Sequence, residues 1–229
     1  RMLKKIRLLC FDKKTPFTFL MISECFMISC FDSDRNLKNA PRLILASSSP
    51  RRKDILSMLG YPFEVRASDC DETLSGRESP EEAVKILSAR KAFAVSRESG
   101  EAVLGADTVV FLNGRILGKP KNREDAFNTL SFLSGKVHHV YTGVTLITDD
   151  KTLVLSDMAS VEFKELSEKD INSYIDTGEC FGKAGSYAIQ GIGERLVART
   201  EGDFYTIVGL PLVLTDKILT DAGILKIKP

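Results

Sequence analysis

Two strand pairs set among amphipathic helices restrict this chain more than any other feature. Asn113-Gly114 separates an apolar run, Ala102 to Leu112, from a short return, Arg115 to Leu117, and Asn-Gly between such runs is a hairpin turn signal. A longer pair follows, Val137 to Ile147 and Thr152 to Phe163, turning at Asp149-Asp150. Hairpins run antiparallel, so an all-parallel sheet is excluded. Helical periodicity surrounds them. Ser79-Pro80-Glu81-Glu82 is a capping box with proline at the first helical position, and Ala83, Val84, Ile86, Leu87 and Phe93 carry the apolar stripe that follows. The spacing predicts further helices from Arg51 to Leu59, around Ala126, Leu130 and Leu133, from Ser167 to near Gly178, and from Leu210 to Ala222. Short strands are predicted from Arg42 to Ala46 and Phe63 to Ala67, with a last pair, Arg195 to Glu201 and Phe204 to Val208, joined at Gly202-Asp203. The fold class these patterns predict is α/β, with a mixed, strongly twisted central sheet and helices on both faces.

Composition narrows the setting. With 229 residues, 43% hydrophobic and 28% charged, the chain matches one globular domain with a sizeable core. A formal net charge of +1 provides no field for nucleic acid or an anionic membrane, so any anion site must be a local cluster. The five cysteines form no CxxC pair, which argues against a zinc site or a disulfide framework and predicts a reducing, cytoplasmic setting. Residues 1–41 read as an N-terminal extension outside the catalytic fold. Their apolar segment, Phe17 to Phe31, superficially resembles a targeting sequence, but Glu24 leaves it too short and polar to span a bilayer.

Charge then collects at predicted strand ends, where open α/β sheets place their ligands. Leu45-Ala46-Ser47-Ser48-Ser49-Pro50-Arg51-Arg52 runs from a strand through three hydroxyls into a helix start bearing two guanidiniums, a combination suited to polyphosphate. Asp69, Asp71 and Glu72 follow the second strand. Asp107, in Gly105-Ala106-Asp107-Thr108, interrupts an otherwise apolar strand; a carboxylate there is costly to bury unless paired or coordinated, which marks it as a candidate general base or metal ligand. Lys91, Lys119 in Gly118-Lys119-Pro120, and Lys183 in Gly182-Lys183-Ala184-Gly185-Ser186-Tyr187 add the cations needed beside a triphosphate. His138 and His139 lie in a predicted strand outside these clusters and read as structural or surface groups, and Cys70 as a packed thiol.

These segments, together with Leu133-Ser134-Gly135, Tyr187-Ala188-Ile189-Gln190-Gly191 and Val208-Gly209-Leu210-Pro211, resemble the successive motifs of the Maf-like nucleoside triphosphate pyrophosphatases over about Arg42 to Ala222. The resemblance implies two lobes around a cleft, a fold like that of the inosine triphosphate pyrophosphatases, a homodimer, and hydrolysis of a nucleoside triphosphate to monophosphate and pyrophosphate with Mg²⁺ or Mn²⁺. It makes Asp107 the group that activates water, and Glu72, with Asp107, a metal-linked carboxylate. Ser47, Arg51, Arg52, Lys91, Lys119 and Lys183 become substrate-binding groups; Arg51, Thr108 and Gln190 fall at positions that divide the family by substrate, and the Thr108 and Gln190 combination resembles the branch acting on dTTP and UTP. A glutamine amide carries the donor and acceptor that match the O4 and N3–H edge of uracil or thymine. Two alternatives accompany this reading: a nucleotide-binding regulator of cell division without fast turnover, and a pyrophosphatase for inosine or xanthosine triphosphate.

Overall fold

The structure, a computed structural model, describes residues 40–227. In chain order the elements are β1 (Arg42–Leu45), α1 (Pro50–Met58), β2 (Phe63–Val65), α2 (Pro80–Phe93), β3 (Glu101–Leu112), β4 (Arg115–Leu117), α3 (Arg123–Leu133), β5 (Val137–Ile147), β6 (Thr152–Phe163), α4 (Glu168–Ile175), two short 3₁₀ segments (Ala184–Ser186 and Ile192–Leu196), β7 (Val197–Glu201), α5 (Phe204–Val208) and α6 (Leu212–Asp221). The sheet order is β2-β1-β3-β5-β6-β7, with β4 paired to β3. β1 pairs in parallel with β2 and β3, and every other pairing is antiparallel. The mixed sheet expected from the hairpins is therefore present.

Side-chain alternation along β3 and β5 divides the core between two faces. Leu43, Leu45, Leu104, Val140, Val144 and Leu146 pack with Leu56 of α1, Leu130 of α3, Tyr174 of α4 and Leu219 of α6 in one cluster. On the opposite face Ile44, Val103 and Ile147 pack with Ala92 and Val95, at and just beyond the end of α2. Ser79 caps α2 in the expected capping box: its side chain accepts from the Glu82 backbone N–H, and the Glu82 carboxylate accepts from the Ser79 N–H at 2.9 Å. Glycines set how close this helix lies. A methyl group at Gly105 would come within 2.8 Å of the Ala92 nitrogen, and one at Gly143 within 3.0 Å of the Lys85 nitrogen and nearer still to the Val84 carbonyl.

One predicted strand is a helix. Phe204 to Val208 does not return as a hairpin partner of β7; it forms α5. Asp203 is the cause: its carboxylate accepts from the backbone N–H groups of Tyr205 at 2.9 Å and Leu212 at 2.8 Å, capping α5 while holding the start of α6. β2 is shorter than predicted, ending at Val65, and β7 begins at Val197 because Ile192–Leu196 closes as 3₁₀ turns.

His138 belongs to the core. It is fully buried, its Nε2 lies 2.8 Å from the Tyr187 hydroxyl, and its ring meets Phe163 and Tyr187 edge-on. Burial, followed by the neighbouring His139, pushes its pKa down from 6.5 to about 4. A histidine held neutral in the folded state stabilises it above the unfolded value, and that contribution is lost as pH falls from about 6.5 toward 4. Thermal unfolding between pH 7 and 4 is expected to show a stability loss of about 3 kcal/mol from this residue. His138→Phe should flatten the profile in that window, and an unchanged slope would remove His138 as its source.

Candidate active site

A cleft of about 350 Å³ opens where β1 ends and β3 continues past it. Its wall includes nine of the residues singled out from the sequence: Ser47, Arg51, Arg52, Glu72, Lys91, Asp107, Thr108, Lys119 and Lys183. They come from separate parts of the chain. Ser47 follows β1, Arg51 and Arg52 stand in the first turn of α1, Glu72 lies in the loop after β2, Lys91 is in the last turn of α2, Asp107 and Thr108 lie within β3, Lys119 follows β4, and Lys183 precedes a 3₁₀ turn.

The acidic centre is held by a lysine. Asp107 and Lys91 are both buried, and the Lys91 ammonium donates to Asp107 Oδ1 while lying 3.0 Å from Glu72 Oε1. Asp107 Oδ2 accepts no hydrogen bond among the described residues. Burial works against the Glu72 carboxylate, but the hydrogen bond and charge of Lys91, with Lys119 and Arg52 farther off, outweigh it and hold its pKa below the ordinary range.

Across the cleft the cations divide by what they already bind. Arg52 Nε donates to the Gly209 carbonyl at 2.8 Å, Nη1 to Ser47 Oγ at 3.1 Å and Nη2 to Thr108 Oγ1 at 3.3 Å. Three of the five guanidinium N–H groups thus organise the protein itself. Arg51 spends only Nε, at 3.4 Å from the Val208 carbonyl. Lys183 donates to the Glu179 carbonyl at 3.0 Å, and burial, reinforced by the charge of Arg51, pulls its pKa below the ordinary lysine range. Two cations crowded into one partly buried wall are an arrangement that a polyphosphate relieves.

Gln190 stands apart. It is exposed and lies outside the cleft wall, to which its own segment contributes only as far as Ile189. The Glu179 carboxylate accepts from the N–H groups of Ile192 at 3.0 Å and Gly193 at 2.8 Å and so fixes the turn after Gln190. Glu179 and the fully buried Thr142, which bonds Thr108, are positioning groups that the sequence reading missed. Thr142 carried a usable signal, since a hydroxyl between Val140 and Val144 on a core-facing stripe poses the same burial question as Asp107. Cys70 borders the acidic loop and is only partly buried, which raises its pKa.

The donor set fits a divalent cation of the magnesium type. No group of three or more His, Cys, Asp or Glu residues able to hold a metal ion occurs among the described residues. Glu72 and Asp107 nevertheless lie together around Lys91, each keeping one oxygen that the lysine does not hold, and two carboxylates completed by substrate phosphates and water are an ordinary Mg²⁺ environment.

The chain is 47% identical over 176 residues to a dTTP/UTP pyrophosphatase of Bacillus cereus (strain ATCC 10987 / NRS 248), covering 76% of this chain and 87% of that protein. It is 46% identical over 172 residues to a dTTP/UTP pyrophosphatase of Bacillus anthracis (strain CDC 684 / NRRL 3495), covering 75% and 90%. Among solved structures, the Staphylococcus aureus Ham1 protein is a distant likeness, with a TM-score of 0.36 and 19% identity over 53% of this chain and 71% of that one. The profile described as Maf-like protein matches residues 42–222, a span that contains every residue of the cleft wall, and the chain belongs to that family.

Proposed function

We propose that this protein hydrolyses dTTP and UTP to the monophosphate and pyrophosphate, the activity for which its bacillary relatives are named. The observation that carries the reading is one cleft in which Asp107 and Glu72 converge on Lys91 and face Arg51, Lys119 and Lys183. The hydrogen bond from Lys91 fixes Asp107 Oδ1, leaving Oδ2 to take a proton from water. The hydroxide so formed attacks the α-phosphorus, the bond from that phosphorus to the bridging oxygen breaks, and pyrophosphate departs. Arg51, Lys119 and Lys183 neutralise the charge that gathers on the leaving group. Ser47 Oγ accepts from the Ser49 N–H at 3.3 Å and from Arg52, so its own proton remains for a phosphate oxygen. Glu72 and Asp107 would hold a divalent cation, Mg²⁺ or Mn²⁺, which would supply further charge neutralisation. Gln190 offers its amide N–H to O4 of the base where the nucleotide extends past Ile189. The active form is a cytoplasmic homodimer.

A panel of dTTP, UTP, CTP, ATP, GTP, ITP and XTP with Mg²⁺ or Mn²⁺ tests the proposal. Pyrophosphate release is expected from dTTP and UTP at least tenfold faster than from the others. Orthophosphate as the first product, or a preference for ITP and XTP, would overturn the assignment, and tight binding without product would favour the regulator.

A further inference from the structure

The hydrogen bonds behind Thr108 can be assigned a direction. The Thr142 hydroxyl is fully buried and donates its single proton to the Thr206 carbonyl at 2.7 Å. It also lies 2.9 Å from Thr108 Oγ1, and with its proton spent it can only accept there. Thr108 must therefore give its proton to Thr142. One Thr108 lone pair receives Arg52 Nη2 at 3.3 Å. What remains facing the cleft is the second lone pair, so Thr108 meets a ligand only as an acceptor. Ser47, held by the same guanidinium, has both lone pairs occupied and its proton free. One partly buried arginine thus sets two hydroxyls of the cleft in opposite polarity.

We infer that Thr142 is a positioning residue that turns the Thr108 hydroxyl into an obligatory acceptor, so that the part of the nucleotide held at Thr108 is an N–H or O–H donor. This rests on the pyrimidine nucleotide reading above and deepens it. The donor that best accounts for selectivity is N3–H of uracil or thymine. Cytosine carries an unprotonated N3 at that position, and a lone pair facing a lone pair is repelled as well as unbonded. A ribose hydroxyl is the other source of the same chemistry, and the substrates chosen below separate the two. The end of the relay is itself fixed, because Thr206 in α5 donates its own hydroxyl to Asp157 of β6 and cannot swing to follow Thr142.

The test compares wild type, Thr142→Val, Thr142→Ser and Thr108→Val. For each, kcat/KM is measured with UTP, CTP, 2′-dUTP and 3′-dUTP, and Kd with UMP, CMP and the two deoxy-UMPs by calorimetry. Valine at 142 removes the acceptor that anchors the Thr108 proton, and the freed hydroxyl can then donate into the cleft. The UTP:CTP ratio is expected to fall about tenfold, chiefly through KM, with kcat for UTP within about threefold of wild type. Thr142→Ser should restore the ratio to within twofold, and Thr108→Val should reproduce the loss even if Thr142→Val does not fold. A fall in the UTP:2′-dUTP or UTP:3′-dUTP ratio instead would place the donor on the sugar and leave the polarity assignment standing. Unchanged ratios in Thr142→Val, or in Thr108→Val if the former is unfolded, would overturn it. A wild type that binds the monophosphates but releases no pyrophosphate would defeat the proposed activity alone, since the Kd ratios still report the relay.

Discussion

Asp107→Asn is expected to lower kcat for UTP by about a thousandfold while leaving the protein folded. The substitution keeps volume and shape but removes the carboxylate whose free oxygen, Oδ2, takes the proton from water in the proposed step. It also exchanges a charge for a dipole opposite the Lys91 ammonium, which in the native protein is shared between Asp107 and Glu72. Because Glu72 lies 3.0 Å from Lys91 and is half exposed, the lysine keeps a carboxylate and some solvent, and the variant avoids the penalty of a wholly unpaired buried ion. Its thermal midpoint should therefore drop by only a few degrees. The decisive measurement is initial-rate pyrophosphate release at saturating UTP, with circular dichroism as the check on folding. A well-folded Asp107→Asn enzyme within tenfold of wild type would mean that water is activated elsewhere.

Much of this architecture was legible because local rules and tertiary packing agree. The capping box at Ser79, the Asn113-Gly114 turn and the alternation along Val137–Ile147 each act within a few residues, and each element formed where its pattern lies. Lys91 was legible only as a cation in a helix. That it faces the sheet follows from its place on the buried stripe with Val84, Leu87 and Ser88. Phe204-Tyr205-Thr206-Ile207-Val208 was misread because aromatic and β-branched residues favour strands, whereas the segment is governed by Asp203 at its start and by Asp157 and Thr142 from other strands. Gln190 shows the same limit at the site. Its turn is fixed by a carboxylate eleven residues earlier, Glu179, and no periodicity in the intervening chain announces that bond.

Gly143→Ala is expected to destabilise the fold by about 3 kcal/mol and to disable the cleft as well. Gly143 is the β5 partner of Asp107, and both project toward α2, as does Gly105 on β3. These two glycines let the helix backbone lie almost against the sheet, which brings Lys91, two turns along from Val84, within reach of Asp107. A methyl group at Gly143 would collide with the backbone at Val84 and Lys85, where no side-chain rotation can relieve the contact. The helix must lift or slide, and Ser88, which shares a 2.9 Å hydrogen bond with Thr145, must move with it. Urea unfolding should show a lower midpoint with an unchanged slope, and residual activity should fall further than the folded fraction alone predicts, because the Lys91 anchor is displaced in molecules that remain folded. Gly118→Ala is the control for fold stability: an added methyl there meets nothing within 4 Å, and its midpoint should match wild type. If Gly143→Ala matched it too, the close approach of α2 would not be what brings Lys91 to Asp107, and the link drawn between helix packing and the acidic centre would fail.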